Sequence, residues 1–249
     1  MPEPQLTYYD LGDHVVAFST TRHGGCSTGN YSGFNINNYC GDETHHIVEN
    51  RRSLAAVLGI NDSHIIMPHQ VHGTEVRRID GPQQEVIEGV DAVMTDVPQL
   101  CIGVSTADCI PILLYDETHH AVCAVHAGWR GTVKRIVHAA IHAMHATYGT
   151  ESFQLKAVIG PGISLESFEV GDEVYQQFAD AGFNMGQIAR KYSKWHINLP
   201  LCNRLQLEEW GVKDIYMSGI CTYQQYKDYF SARRLGVNSG RIFTGIMYL

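Results

Sequence analysis

Ile110-Pro111-Ile112-Leu113-Leu114-Tyr115 and Ala121-Val122-Cys123-Ala124-Val125-His126 are two apolar runs separated by the polar stretch Asp116-Glu117-Thr118-His119. They are apolar at successive rather than alternate positions, the pattern of central strands covered on both faces. Folding the hairpin about the polar turn sets Tyr115 opposite His120 and Cys109 opposite His126. Opposed antiparallel residues have Cβ atoms about 4.5–5.5 Å apart. A thiolate and an imidazole at that separation can share one zinc ion, with Zn–S about 2.3 Å and Zn–N about 2.0–2.1 Å, or act as a Cys–His nucleophile pair. Pro111 cannot donate to a ladder, so a bulge there would shift the register by one. The competing reading is a buried filler cysteine and a satisfied core histidine.

Outward from the hairpin, strand and helix patterns interleave along the whole chain, with no repeat, low-complexity tract or linker. Strands are expected at His14–Thr20, Ile65–Met67, Asp91–Thr95, Cys101–Ser105, Leu155–Gly160 and Arg241–Leu249. Helices are expected over Ile47–Leu58, stopped by Gly59, and over Thr132–Tyr148, Gly171–Ala181 and Pro200–Trp210. The Gly-, Asn- and Ser-rich stretch from Arg22 to Gly41 reads as loop. The expectation is one domain, residues 1–249, of mixed α/β class with more than one layer of sheet.

The 249 residues carry 18 lysines and arginines against 26 aspartates and glutamates, a net charge of −8, which lacks the basic footprint of a nucleic-acid-binding protein. No apolar run reaches the roughly 18 residues of a membrane helix. Met1-Pro2-Glu3-Pro4 resembles no secretory signal, so a cytoplasmic location is expected. Seven cysteines, an odd number at irregular spacing, read as thiols rather than a disulfide framework.

After His126, Gly128-Trp129-Arg130-Gly131-Thr132 leads from a strand into a helix. Such a turn offers free N–H groups and the positive end of a helix dipole, and Arg130 suits an anion such as phosphate. The bland alternative is a helix start capped by Thr132 with a surface arginine. An open zinc site needs a third ligand. In Pro68-His69-Gln70-Val71-His72-Gly73, alternation puts His69 and His72 on opposite faces, and spacing does not choose between them. His138, His142 and His145 line the flank of one helix, about 125° from its apolar face, where solvation is the expected role.

His69-Gln70-Val71-His72-Gly73, Thr106-Ala107-Asp108-Cys109 and His126-Ala127-Gly128-Trp129-Arg130-Gly131 resemble the YfiH/LACC1 family, also called the laccase-domain, polyphenol oxidase or peptidoglycan-editing-factor family. Further matches are Thr21-Arg22-His23-Gly24-Gly25, Gly41-Asp42, Asp91-Ala92, Ile159–Ile163 and Arg233-Arg234. The resemblance implies a single-domain four-layer α/β/β/α sandwich. It also implies a metal held by His72, Cys109 and His126, and thereby selects His72 over His69. The family is associated with purine nucleoside phosphorolysis, with adenosine deamination and thioether-nucleoside phosphorolysis also attributed to it. Cys26 departs from the small aliphatic residue usual after the paired glycines. The stretch after Arg233-Arg234 lacks an acidic residue often found there.

The leading functional expectation is therefore a zinc-dependent purine nucleoside phosphorylase acting on a nucleoside and phosphate. Two imidazoles and a thiolate leave a fourth zinc position open. Arg22 and Arg130 are candidates for phosphate or ribose oxygens. Asp108 reads either as a group that orients Cys109 or moves a proton, or as a structural carboxylate. A copper polyphenol oxidase is the alternative named by the family. Multicopper laccases build their trinuclear cluster from His-x-His pairs, and none of the 14 histidines here forms one, though a single Cys-His-His site accepts copper. A Cys109–His126 amide hydrolase acting in peptidoglycan editing, and a zinc-storing or structural protein with a closed site, complete the set.

Overall fold

The hairpin closes two residues out of the expected register. Ile110 faces Ala127, Pro111 faces His126 and Asp116 faces Ala121. The reason lies in the turn. Asp116 extends the first strand and its carboxylate accepts hydrogen bonds from the N–H groups of Thr118 and His119, at 3.0 and 3.1 Å. His120 takes a positive φ of 54°. The turn is thus Glu117–His120, and Cys109 lies before the ladder rather than opposite His126. A shift of two preserves which face each side chain uses, so His126 still points as expected.

The computed structural model describes residues 3–82 and 86–249; Met1 and Pro2, where the expected signal-free start begins, lie outside them. In chain order the elements are β1 (Leu6–Tyr9), β2 (Val15–Thr20), α1 (Thr44–Leu58), β3 (Ile65–Ile66), β4 (Val76–Arg78), β5 (Ala92–Thr95), β6 (Cys101–Thr106), β7 (Ile110–Asp116) and β8 (Ala121–Ala127). Then follow α2 (Trp129–Val133), α3 (Ile136–Tyr148), β9 (Lys156–Ile159), β10 (Glu169–Val170), α4 (Asp172–Asp180), α5 (Met185–Ile188), β11 (Ala189–Lys191) and β12 (Trp195–Ile197). The chain ends through α6 (Leu199–Glu209), β13 (Asp214–Met217), α7 (Ala232–Leu235) and β14 (Ile242–Tyr248). One sheet runs β1-β2-β14-β6-β3, a second runs β13-β9-β7-β8-β5-β4, and β10-β12-β11 form a small third.

The cores show how these stack. Alternate residues of β7 and β8 (Leu113, Tyr115, Val122, Ala124) pack with Ala17, Ile102, Val104 and Ile246 of the other large sheet. The intervening residues (Ile112, Leu114, Cys123, Val125) pack under Val137, Ile141 and Met144 of α3 and Cys202 and Leu207 of α6. Outside the five-stranded sheet, Phe18, Cys101 and Phe243 are covered by Leu54 and Ala55 of α1. The result is a mixed α/β fold in four layers, helix, sheet, sheet, helix, and it explains why both hairpin strands are apolar throughout.

The expected helix Thr132–Tyr148 is broken in two. Arg135 sits in the left-handed region with φ 65°. From α6, Gln206 donates to the Thr132 carbonyl at 3.0 Å, and Asn203 pairs with the Thr132 hydroxyl. A tertiary contact thus holds a carbonyl that a continuous helix would have used. Thr132 lies inside α2, and Gly128 occupies the N-cap position. Strands β1, β4 and β13 escaped the pattern analysis because three or four partly exposed residues carry too little periodicity.

Candidate metal centre

His126 is the last residue but one of β8 and is only 2% exposed. Its Nδ1 lies 2.8 Å from Asp91 Oδ1. A carboxylate only accepts, so Nδ1 carries the proton and Nε2 is left as an acceptor able to bind a metal. Asp91, fully buried at the start of β5, does more than orient this ring. Its oxygens accept from the N–H groups of Val71, His72 and Gly73, at 3.2, 2.9 and 2.7 Å. His126 N–H in turn donates to the Asp91 carbonyl at 2.8 Å. One carboxylate therefore fastens the His72 loop to the end of β8. It also holds His72 at φ 62°, a left-handed conformation unfavourable for histidine.

Cys109 reaches the same point from the loop between β6 and β7. Its Sγ lies 3.8 Å from His72 Nε2, and the rings of His72 and His126 meet edge to face at 4.7 Å. Ligand atoms of all three residues lie within 4.8 Å of one another. The preceding Asp108, with φ 91°, shapes this loop. Its Oδ1 accepts from Thr222 Oγ1 and its Oδ2 from Arg233 N–H, each at 2.7 Å, so both oxygens are committed to anchoring the loop. Gly128 completes the cradle. A Cβ there would lie 2.8 Å from His72 Cδ2, 3.0 Å from Cys109 Sγ and 3.6 Å from His126 Cε1. The glycine in this turn is thus required by the convergence of the three side chains rather than by its own backbone, whose φ of −66° suits any residue.

Burial pushes the Cys109 thiol up, but His126 and His72 outweigh it and the thiol falls well below its ordinary value. Burial pulls His126 down, but Cys109 and Asp91 raise it above the ordinary histidine range. Asp91 is pushed up by burial and brought down further by His126 and the Gly73 and Val71 N–H groups. Two imidazoles, a thiolate and a carboxylate behind one imidazole form a set that fits a catalytic zinc with one open position, and copper as an alternative occupant.

The three side chains form the floor of a cleft of about 330 Å³ whose walls include Asn37, Tyr39, His69, Ser105, Val237 and Arg241. Gln70 sits between His69 and His72 and pairs with Ser105 through both ends of its amide, at 2.8 Å each. His69 turns to Glu88 instead, with its Nδ1 2.6 Å from the carboxylate. Arg22 is placed in a separate depression. Its Nη1 donates to the Tyr226 carbonyl at 2.6 Å and its guanidinium lies over the Phe230 ring at 4.7 Å. Arg130 is exposed and lies over Trp129 at 4.3 Å. Neither arginine lines the cleft, so the expectation that they grip substrate oxygens gains no support from this geometry. His142 and His145 are exposed as expected. His138 is partly covered, lying 3.4 Å from Glu209 and edge-on to Trp210. All seven cysteines carry free thiols. A second grouping, Glu43, His45 and His46, lies at the exposed start of α1.

The motif reading missed the part Asp91 plays. The signal was present: a carboxylate between Val90 and Ala92, at the mouth of an apolar strand, has to be buried, and a buried carboxylate needs partners. It also missed Arg241, whose place on the cleft wall depends on the turn before β14.

A four-layer α/β/β/α protein with a His-Cys-His grouping at one strand end is the class that fold and site define. Residues 16–249 match the family described as multi-copper polyphenol oxidoreductase laccase, and the chain belongs to that family. It is 43% identical, over 97% of its own length and 95% of the relative's, to a Bacteroides thetaiotaomicron protein named purine nucleoside phosphorylase. It is 41% identical, over 97% of each chain, to a protein from an unknown prokaryotic organism named adenosine deaminase RL5. Its structure is similar to that of YfiH from Bacillus licheniformis, with TM-score 0.90, 25% identity and coverage of 94% and 93%. It is likewise similar to YlmD from Geobacillus stearothermophilus, with TM-score 0.88, 29% identity and coverage of 94% and 92%.

Proposed function

We propose that this chain is a metal-dependent purine nucleoside phosphorylase that converts a nucleoside and phosphate to free base and ribose 1-phosphate. The observation that carries the reading is the grouping of His72, Cys109 and His126 on the floor of an open cleft of about 330 Å³, a volume suited to a small ligand. The name of the Bacteroides thetaiotaomicron relative, purine nucleoside phosphorylase, supports it. These three side chains would hold zinc. When bound, the ion supplies a Lewis acid with a free coordination position. Asp91 keeps His126 in the tautomer that presents Nε2 and keeps the His72 loop in place. Asp108 fixes the loop that carries Cys109. Arg241, a cation on the cleft wall, is assigned to the oxygens of phosphate or ribose.

The test is metal analysis of freshly purified protein, followed by incubation with adenosine or inosine with and without labelled phosphate. Labelled ribose 1-phosphate formed only with phosphate is the expected result. Equal release of base without phosphate would make the protein a hydrolase. Adenosine deamination is the second reading, favoured by the name of one relative, and would yield inosine without phosphate. Oxidation of a phenol only after copper loading would favour the oxidase, and amide cleavage by metal-free protein the Cys109–His126 hydrolase.

A further inference from the structure

A glycosidic bond to a purine breaks with its electron pair going to the ring, so the base leaves as an anion unless a proton reaches it. Phosphorolysis in this cleft therefore needs an acid that the metal ligands do not supply. The titratable side chains of the cleft narrow the choice. His72, Cys109 and His126 are engaged with one another. Burial pushes the Tyr39 phenol and the Cys40 thiol up, so neither is a ready proton donor. Arg241 is a guanidinium, which does not give up its proton. The nearby Asp108 lines a separate depression and has both oxygens committed.

His69 remains, and it is built in. Its backbone N–H donates to the Ile87 carbonyl at 2.8 Å, and its carbonyl accepts from Gly89 N–H at 3.1 Å. Its ring stacks on Tyr39, with centroids 4.1 Å apart and planes 20° from parallel. Nδ1 is held by Glu88, and the carboxylate can only accept, so the proton on Nδ1 is fixed. Nε2 has no hydrogen-bond partner among the described residues, while the ring lines the cleft. A carboxylate behind one nitrogen and a free second nitrogen on the cleft wall is the arrangement of a proton-transfer histidine, which acts as a general acid once Nε2 carries a proton.

We propose that His69, oriented by Glu88, is the general acid that protonates the departing purine. The inference rests on the phosphorylase reading. In the step, a phosphate oxygen forms a bond to C1′ of the ribose as the C1′–N9 bond breaks and its electron pair enters the purine ring. The step starts from the imidazolium form of His69, with one proton on Nδ1 held by Glu88 and a second on Nε2. The Nε2 proton passes to the imidazole nitrogen N7 of the base, and the ring is left neutral. The proton lost from the hydrogen phosphate as it becomes an ester returns to His69 through solvent, so charge and protons balance. Tyr39 fixes the plane of the His69 ring and is a positioning residue.

The experiment compares wild type, His69→Gln and Glu88→Gln on two substrates, inosine and 7-methylguanosine. The second already carries its positive charge on the imidazole ring of the base and leaves neutral without a proton. His69→Gln should keep stoichiometric metal, lose about 10²–10⁴-fold in kcat/KM on inosine, and lose less than about 10-fold on 7-methylguanosine. Glu88→Gln, which keeps the ring, should show a smaller loss in the same pattern. Equal losses on both substrates would mean a role in binding or folding and would overturn the assignment. Full activity of His69→Gln on inosine, or loss of its metal, would also overturn it. A wild-type protein that releases no base from either nucleoside in phosphate would sink the phosphorylase reading, and this inference with it. Active wild type beside an unaffected variant would sink only the role of His69.

Discussion

Gly128→Ala is the sharpest probe of the proposed centre, because it adds one methyl where the three candidate ligand side chains meet. Contact between carbon atoms is comfortable near 3.5 Å. The added Cβ would lie 2.8 Å from His72 Cδ2, about 0.7 Å too close on that scale. It would also lie 3.0 Å from Cys109 Sγ. The backbone at φ −66° accepts alanine without strain. The methyl lands on side-chain atoms, and the exposed His72 ring can swing away, so the overpacking cost should stay near the low end, about 1 kcal/mol. Metal sites tolerate displacements of only about 0.2 Å. Zinc affinity should therefore fall about 10–100-fold, the range seen when support around a ligand is lost. That is about 1.4–2.8 kcal/mol. At roughly 2–4 °C per kcal/mol for a chain of this size, the melting gain from saturating zinc should shrink by roughly 3–11 °C. The metal-free proteins should melt within about 4 °C of each other. Competition with a chromogenic chelator gives the affinity, and calorimetry with and without zinc gives the melting difference. Wild-type affinity in the variant would refute the claim that this void lets the ligands converge. An equally large fall in the metal-free melting temperature would assign Gly128 to general packing.

Three further outcomes follow from the same geometry. Cys109→Ala should lose metal and activity together, whereas replacing His138, His142 and His145 together should leave metal content intact by elemental analysis. Asp91→Asn should weaken zinc binding about 10–100-fold and destabilise the metal-free fold by about 3 kcal/mol, since a buried charge partner is removed. Because the Asp91 carboxyl is lowered in the folded protein, its stabilisation is complete above the ordinary carboxyl value of about 3.9 and drains away as pH falls below it. The melting temperature of metal-free wild type should thus drop more steeply than that of the variant below about pH 4. Arg22→Ala should cost about 1–3 kcal/mol of stability, from the lost bond to Tyr226 and the lost contact with Phe230, with kcat/KM changed less than about 3-fold. A large kinetic loss at unchanged melting temperature would return Arg22 to the substrate.

The amino-acid sequence by itself determined the layers and the chemistry at hand. Runs such as Ile110–Tyr115 and Ala121–His126, apolar on both faces, can exist only between two covering layers. The helix before Gly59 was legible from spacing and from the left-handed stop that glycine allows. Cys109 and His126 were legible as polar groups at the mouths of apolar strands. Only the tertiary structure decided how they meet. The hairpin register was set by the Asp116 side chain closing its turn, a local bond that strand periodicity does not encode. The choice between His69 and His72 was open to spacing. In the structure, Asp91, about 20 residues away, grips the N–H groups on either side of His72, and Glu88 draws His69 to another wall. The break at Arg135 belongs to Gln206 and Asn203 on a different helix, and Arg22 was claimed by Tyr226 and Phe230 near the far end of the chain. Patterning reports which face of an element is buried, because that depends on period alone. The direction of a polar side chain in a loop depends on a partner distant in sequence, and only the folded chain brings that partner into reach.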